Sequence, residues 1–306
     1  MSASGSKRAI IAALLANAGI AAAKFVGFLI TGSSSMLAEA VHSVADTSNQ
    51  GLLLLGQRQA DKKPDALHQF GYGRSRYFYS FVVALVLFSL GAAFALYEGY
   101  EKVVHPHELT SPLVAIAILG VAICLESYSF RTAIVESRPL KGPGSWWQFI
   151  RRSRNPELPV VLLEDTGALV GLALALVGVG LTMVTGNPVW DGIGTLCIGA
   201  LLAVIAVILM IEMHSALIGE GATRPEEEAI RAALEQTAHI ERVIHLRTQY
   251  MGPDDMLVGA KIAVASGIDL ATVAVTIDAA EVAVRAAVPA ATVIYLEPDL
   301  DRAPTA

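Results

Sequence analysis

The chain has 306 residues, of which 54% are hydrophobic and only 16% charged, with a formal net charge of −6 and a mean hydropathy of +0.55. Soluble domains carry about 25% charged residues, so disorder and an ordinary water-soluble fold are both excluded. The charge is uneven: residues 220–306 hold 14 Asp and Glu against 7 Lys and Arg, residues 1–219 hold 14 against 15, and two chemically different parts therefore meet near Gly219.

A hydrocarbon core about 30 Å thick needs about 20 mostly apolar residues in a helix. Six stretches meet that requirement in chain order: Ala9 to Ile30, Met36 to Gly56, Tyr77 to Tyr97, Pro112 to Phe130, Val160 to Thr185 and Val189 to Glu212. Between them lie turn and loop segments such as Thr31-Gly32-Ser33-Ser34-Ser35, Lys62-Lys63-Pro64-Asp65, His105-Pro106-His107, Arg138 through Pro159, and Gly186-Asn187-Pro188. The first stretch is too long for the apolar region of a signal peptide and five more follow, so it is read as a retained helix. Lys7 and Arg8 precede the first span, Arg58, Lys62, Lys63, Arg74 and Arg76 surround the second loop, and Arg138, Lys141, Arg151, Arg152 and Arg154 fill the fourth. Because Lys and Arg in short loops stay on the cytoplasmic side, the expectation is a multi-pass protein with both termini cytoplasmic, in the inner membrane of a bacterium or an organelle membrane of a eukaryote.

After Gly219 the texture is that of a small soluble domain. Thr223-Arg224-Pro225-Glu226 opens a helix running to about His239. Strands follow over Val243 to Tyr250 and Met256 to Val264, then a helix from Asp269 to Val288 and a strand from Ala291 to Leu296. The fold class expected is a bundle of six transmembrane helices, residues 1–219, followed by a cytoplasmic α+β domain of order αββαβ, ferredoxin-like, over residues 220–306. Scattered basic residues offer nothing for nucleic acid to hold. The two cysteines, Cys124 and Cys197, exclude a thiolate zinc cluster and read as small buried hydrophobes. There is no His-Glu-x-x-His and no nucleophile with a base nearby, so the chain is read as a non-enzyme without a prosthetic group.

Ionisable residues inside a span cost about 2.5 to 3.5 kcal/mol each on insertion scales, and the second span has the densest set. Glu39, His42, Asp46 and Asn49 are spaced by three, four and three residues, which puts all four along one helix face. The fifth span carries Glu164 and Asp165, whose side chains diverge by about 100°. His42 and Asp46, one turn apart, with a facing Asp165, make a nitrogen and two-oxygen donor set suited to Zn²⁺; polar residues that merely tie helices together are the alternative. Lys24 reads as a side chain snorkelling to the interface, and Glu126 in the fourth span as a group facing apolar partners.

His42-Ser43-Val44-Ala45-Asp46 in the second span, an Asp in the fifth, six spans with both termini inside and a C-terminal αββαβ domain together resemble the cation diffusion facilitator family, zinc transporters that exchange divalent metal for protons. The stretches His42 to Gly51 and Leu162 to Asp165 look most like the branch that includes the mitochondrial zinc transporter of animals. The resemblance implies a homodimer that moves Zn²⁺ out of the cytoplasm against protons by alternating access, with His42 and Asp46 as one ligand pair and Asp165 in the second. Val161 stands where the family has His or Asp, so the fourth position falls to Glu164, with Glu39, Asn49 or water as weaker candidates. An oxygen-richer site would move preference toward Mn²⁺, Fe²⁺ or Co²⁺, and a transport-inactive sensor or scaffold is the other reading. In the second loop Asp65 and His68 match a family metal site where Tyr72 replaces a His. In the C-terminal domain Tyr295, Glu297 and Lys261 stand at or near usual ligand positions, so no tight metal is expected there. Arg74 and Arg76 match a basic position, with Glu220 a possible partner.

Overall fold

The computed structural model describes residues 18–141 and 143–300, so residues 9–17 of the first predicted span lie outside the described residues. Two compact units emerge: the residues up to Arg58 together with Phe78–His214, and Gln59–Tyr77 together with the residues from Ser215 onward.

The first unit is helical. Its helices are α1 (described over Ala18–Thr31), α2 (Ser34–Ala60), α3 (Ser75–Val104), α4 (Pro112–Lys141), α5 (Trp146–Arg152), α6 (Glu157–Thr185) and α7 (Val189–Ile218). Among the described residues four helices are long and apolar enough to cross a membrane: Ser75–Val104, Pro112–Pro139, Glu157–Thr185 and Val189–Ile218. The 27 residues of α2 run about 40 Å at 1.5 Å per residue. Its length suffices to span, but the polar stripe lowers its hydropathy. Met36, Leu87, Leu119, Leu172, Ile198, Leu202 and Leu209 are wholly or almost wholly buried in the shared core.

Close helix contact comes from small residues, as it must where lipid supplies no hydrophobic drive between helices. A Cβ added at Gly99 of α3 would lie 2.7 Å from Leu196 N and 3.0 Å from Gly192 O of α7. One added at Gly199 of α7 would lie 2.8 Å from Leu96 N. Within α3, Leu87–Ala93 is wound as a π-helix, a local widening frequent at functional sites.

The end of this unit formed by the α1–α2 turn is tied by buried polar groups. Gly32 turns the chain at φ +64°. Asp191 at the start of α7 is fully buried and accepts from Ser33 Oγ at 2.8 Å and from the Ser34 amide at 2.8 Å, so its carboxylate caps the N-terminus of α2. Lys102 Nζ donates to Gly32 O at 3.2 Å. Asp191 is therefore part of the scaffold.

Two sequence expectations fail here. The segment read as loop between Arg138 and Pro159 contains α5, nucleated by a Ser145/Gln148 capping box and anchored by Phe149 against Ala133 and Leu162. Cys124 and Cys197 are exposed on the outer faces of α4 and α7 rather than buried, because an apolar run in lipid has an apolar outside as well as an inside.

In the second unit α8 (Arg224–Glu235) starts at a Thr223/Glu226 capping box with Pro at its first turn. It is followed by β1 (Ile240–Gly252), β2 (Asp255–Val264), α9 (Leu270–Ala287) and β3 (Val293–Asp299). The sheet order is β1-β2-β3, with β1 and β2 antiparallel and β2 and β3 parallel. Ile230, Leu234, Met256, Val258, Ile262, Ala280 and Val284 fill the core between helices and sheet. Arg76 Nη1 pairs with Asp254 Oδ2 at 3.0 Å, and Glu220 Oε1 accepts from Ser215 Oγ at 2.6 Å.

The connecting segment of this unit is knotted around Asp65. Its carboxylate accepts from the Tyr72 hydroxyl at 2.6 Å and from the His68 and Leu67 amides at 2.7 and 2.9 Å. The Tyr72 bond first, then the amides, hold the Asp65 carboxyl below the ordinary carboxylate value, and the same bond pushes the Tyr72 phenol above its own. On the sheet Lys261 Nζ lies 2.9 Å from Glu297 Oε1 and 3.0 Å from Asp299 Oδ2. These carboxylates hold the ammonium above its ordinary value.

Candidate metal centre

The stripe on α2 is the structural centre of the first unit. Glu39, His42 and Asn49 are fully buried, and Asp46 is nearly so, with 16% of its side chain exposed. Spacings of three and four residues stack them one above another on the helix face, and the helix cannot turn that face to lipid, where the insertion cost would go unoffset.

His42 Nε2 lies 3.6 Å from Asp46 Oδ2, near enough for both to reach one ion and too far for a hydrogen bond. Asn49 Nδ2 donates to Glu164 Oε1 of α6 at 2.6 Å. Asp165, on the adjacent face, accepts from Ser129 Oγ of α4 at 3.3 Å. Asp165 and Glu126 are among the charges felt at Asp46, and Asp46 and Asp165 are those felt at Glu164. α2, α4 and α6 thus deliver carboxylates to one buried region.

Five side-chain atoms on this stripe have no hydrogen-bond partner among the described residues: Glu39 Oε1, His42 Nδ1, His42 Nε2, Asp46 Oδ1 and Asn49 Oδ1. A buried polar atom left unpaired costs about 1 to 3 kcal/mol, and natural proteins rarely keep several together. The three unpaired oxygens and one of the two nitrogens of a neutral His42 imidazole, the other being N–H, are lone-pair atoms of the kind a borderline divalent cation takes. As the side chains stand, no three His, Cys, Asp or Glu among the described residues surround a common point. His42 and Asp46 are paired, while Asp165 and Glu164 are each held by another helix.

Glu39, a weaker ligand candidate from sequence, is engaged elsewhere. Lys24 of α1 is fully buried, with Nζ 3.1 Å from Glu39 Oε2, 2.8 Å from Ser43 Oγ and 3.9 Å from Glu126 Oε1. It does not snorkel, and Glu126 faces this ammonium rather than apolar neighbours. The available signal was a lysine inside an apolar helix with a glutamate in each of two other spans. Gly171 of α6 makes room for the pair, since a Cβ there would stand 2.5 Å from Glu39 Oε1. Gly91, in the π-wound part of α3, lies against Leu202 and His42, the Nδ1 of which would be 3.9 Å from an added Cβ; nothing in the sequence marks that widening. Val161 is half-buried and packs against Ala133, Phe149 and Leu162 and the main core, so it offers no ligand.

Residues 10–218 match the family model of the cation efflux transmembrane domain. The chain is 36% identical over 225 residues to the mitochondrial proton-coupled zinc antiporter SLC30A9 of Mus musculus, a match covering 72% of this chain and 39% of that protein. It is 30% identical over 261 residues to metal tolerance protein C4 of Arabidopsis thaliana, covering 84% of this chain and 57% of that one. With magnetosome protein MamM of Magnetospirillum gryphiswaldense the identity is 28% over 249 residues, covering 77% and 70%. The matched region spans about two fifths of the length of the mouse antiporter.

Proposed function

The chain belongs to the cation efflux family, also called the cation diffusion facilitators, and from that membership we propose that it carries a divalent metal ion, Zn²⁺ first, out of the cytoplasm in exchange for protons. The observation that carries the reading is the set of unpaired donors at His42 and Asp46, buried in the membrane unit beside two carboxylates of α6. Cargo is held by His42, Asp46 and Asp165, with Glu164 as the fourth ligand and Asn49 fixing one of its oxygens. Closing that set requires Asp165 to leave Ser129 and swing toward α2. The similarity to the mouse proton-coupled zinc antiporter supports zinc and proton coupling.

Exchange follows from the donors themselves. A neutral imidazole and an ionised carboxylate bind metal, their protonated forms do not, so each binding event releases protons and each protonation expels metal. The site passes from one side of the membrane to the other by alternating access in a homodimer whose protomers each have six spans and cytoplasmic termini. With Val161 unable to ligate and oxygen donors in the majority, Mn²⁺, Fe²⁺ or Co²⁺ is the second reading for the cargo.

The test is uptake of zinc and of manganese into proteoliposomes under an imposed pH gradient, comparing the wild type with Asp46→Ala and Asp165→Ala. Gradient-driven flux in the wild type that disappears in both variants is expected, and the zinc to manganese ratio reports the cargo. A folded wild type that moves no metal overturns the reading and leaves a sensor or scaffold.

A further inference from the structure

Among the described residues, the region around the α2 stripe holds five carboxylates, Glu39, Asp46, Glu126, Glu164 and Asp165, and one cation, Lys24. Charges that act on His42 include Glu39, Lys24 and Glu126, and those on Asp46 include Glu126, Lys24, Asp165 and Glu39. The ammonium sits in an oxygen nest, with Glu39 Oε2 at 3.1 Å, Ser43 Oγ at 2.8 Å and Glu126 Oε1 at 3.9 Å. Those three oxygens come from two different helices and the lysine from a third. Ser43 is the chain neighbour of His42, so the nest and the proposed cargo site share one turn of α2. Gly171 keeps α6 clear of the Glu39 carboxylate, so the packing of a fourth helix accommodates the pair.

We propose that Lys24 is a tethered cation of the transport site, whose fixed positive charge limits how tightly the buried carboxylates hold a divalent ion and so lets the ion leave. A buried carboxylate cluster with no such counter-charge binds a dication strongly and releases it slowly, which suits storage and not transport. An organic cation that cannot diffuse away offsets part of that attraction without occupying the ligands at His42 and Asp46. Lys24 also claims Glu39, which keeps a further carboxylate from coordinating the cargo. It touches no cargo in this arrangement and acts through Glu39 and through the field, as a positioning and affinity-setting residue.

The inference rests on the metal-transport reading, and two independent readouts separate its failure from the failure of that reading. A unit charge acting on a divalent ion across about 10 Å at an effective dielectric of about 20 changes the binding constant by roughly two orders of magnitude. Relaxation of the surrounding side chains reduces this, and at least about a tenfold effect is expected. Zinc binding to the purified full chain in detergent is measured by calorimetry, and zinc flux in proteoliposomes is measured under a fixed pH gradient. The chains compared are the wild type, Lys24→Met, Lys24→Arg and the double variant Lys24→Met with Glu39→Gln.

The expected result is that Lys24→Met lowers the zinc Kd about tenfold or more and lowers KM and kcat together, because the ion is bound well and released poorly. Lys24→Arg keeps the charge and stays closer to the wild type in Kd than Lys24→Met does. The double variant removes the charge of the nearest partner, Glu39, as well, restores the net charge of the region, and returns Kd toward the wild-type value. It also keeps the test open if Lys24→Met alone misfolds. A folded Lys24→Met, or double variant, whose thermal stability falls while Kd, KM and kcat per folded molecule stay put would reduce Lys24 to a structural tie and overturn the inference. Equal damage from Lys24→Arg and Lys24→Met would do the same, since shape and not charge would then matter. A wild type without flux sinks the transport reading, and the calorimetric arm still decides whether Lys24 sets metal affinity.

Discussion

Replacing Asn49 by Ala removes the donor that Glu164 Oε1 has among the described residues, a 2.6 Å bond between two buried side chains on α2 and α6. A buried acceptor left without its donor costs about 1 to 3 kcal/mol, at the upper end for a charged group. The Cβ that remains fills little of the vacated space, which adds a small cavity. Asn49→Ala is therefore expected to destabilise the helical unit by about 2 kcal/mol, a lower melting midpoint in detergent reporting it. Because Asn49 also orients the proposed fourth ligand, zinc affinity should fall by about 10 to 100-fold, the usual effect of losing a group that holds a metal ligand in place. The decisive assay is a double-mutant cycle with Glu164→Gln, reading both melting midpoint and zinc Kd. Two residues in one bond couple by about 0.5 to 3 kcal/mol, so the double variant must be less impaired than the two single effects added together. Strict additivity in both readouts would mean that the bond does not exist in the working protein and that Glu164 is held by something else.

Gly99→Ala puts a methyl 2.7 Å from Leu196 N and 3.0 Å from Gly192 O, contacts with backbone that cannot swing aside; α3 and α7 must part, and a loss of about 1 to 3 kcal/mol in thermal unfolding is expected, with an unchanged midpoint arguing against this packing. Asp191→Ala takes away the acceptor of Ser33 Oγ and of the Ser34 amide, so the cap on α2 is lost at about 1 to 2 kcal/mol, seen as faster hydrogen exchange at residues 33–37; protection equal to the wild type there refutes the cap. Tyr72→Phe deletes the largest contribution holding the Asp65 carboxyl down, so the Asp65 pKa should rise toward about 3.9 in a carboxyl NMR titration of the full chain. A depressed folded pKa gives stability that is present above the unfolded pKa and lost as pH falls through the folded one; ordering of the 61–74 segment should therefore fail at a higher pH in Tyr72→Phe than in the wild type, and coincident titrations would remove Tyr72 from the account.

Much of this arrangement can be read from sequence because the membrane makes polarity conspicuous. Glu39, His42, Asp46 and Asn49 stand out in α2 since each is costly in lipid, and their three-and-four spacing assigns them a common face before any coordinates exist. The order of helices and strands after Gly219 is likewise local information, carried by the Thr223/Glu226 box, the Asp269 cap of α9 and the β-rich runs between them. What sequence does not carry is which helix faces which. Lys24 and Glu126 each look like isolated anomalies along the chain, and only the packing of α1, α2 and α4 joins them to Glu39. The cysteines were misplaced for a related reason: hydropathy separates lipid from water, but it does not separate the lipid-facing side of a helix from its core. The α5 helix was missed because its capping box sits in a segment dense with Arg, Pro and Gly, where composition spoke for loop.

The two buried polar regions of the helical unit obey one rule with opposite outcomes. At the end by the α1–α2 turn both Asp191 oxygens have donors, and Ser35 and Thr195 complete one another, so the polar groups are consumed in holding helices together. In the α2 stripe His42 has no hydrogen-bond partner on either ring nitrogen among the described residues and Asp46 Oδ1 has none, although His42 lies as deep and Asp46 nearly so. A folded chain retains such unpaired groups only where another partner repays their desolvation, and the carboxylates gathered around them require that partner to be positive. The contrast supports the proposed division of labour, in which Asp191, fully buried with both oxygens engaged, belongs to the scaffold while the unpaired donors of His42 and Asp46, set among carboxylates from three helices, are the ones proposed to take cargo.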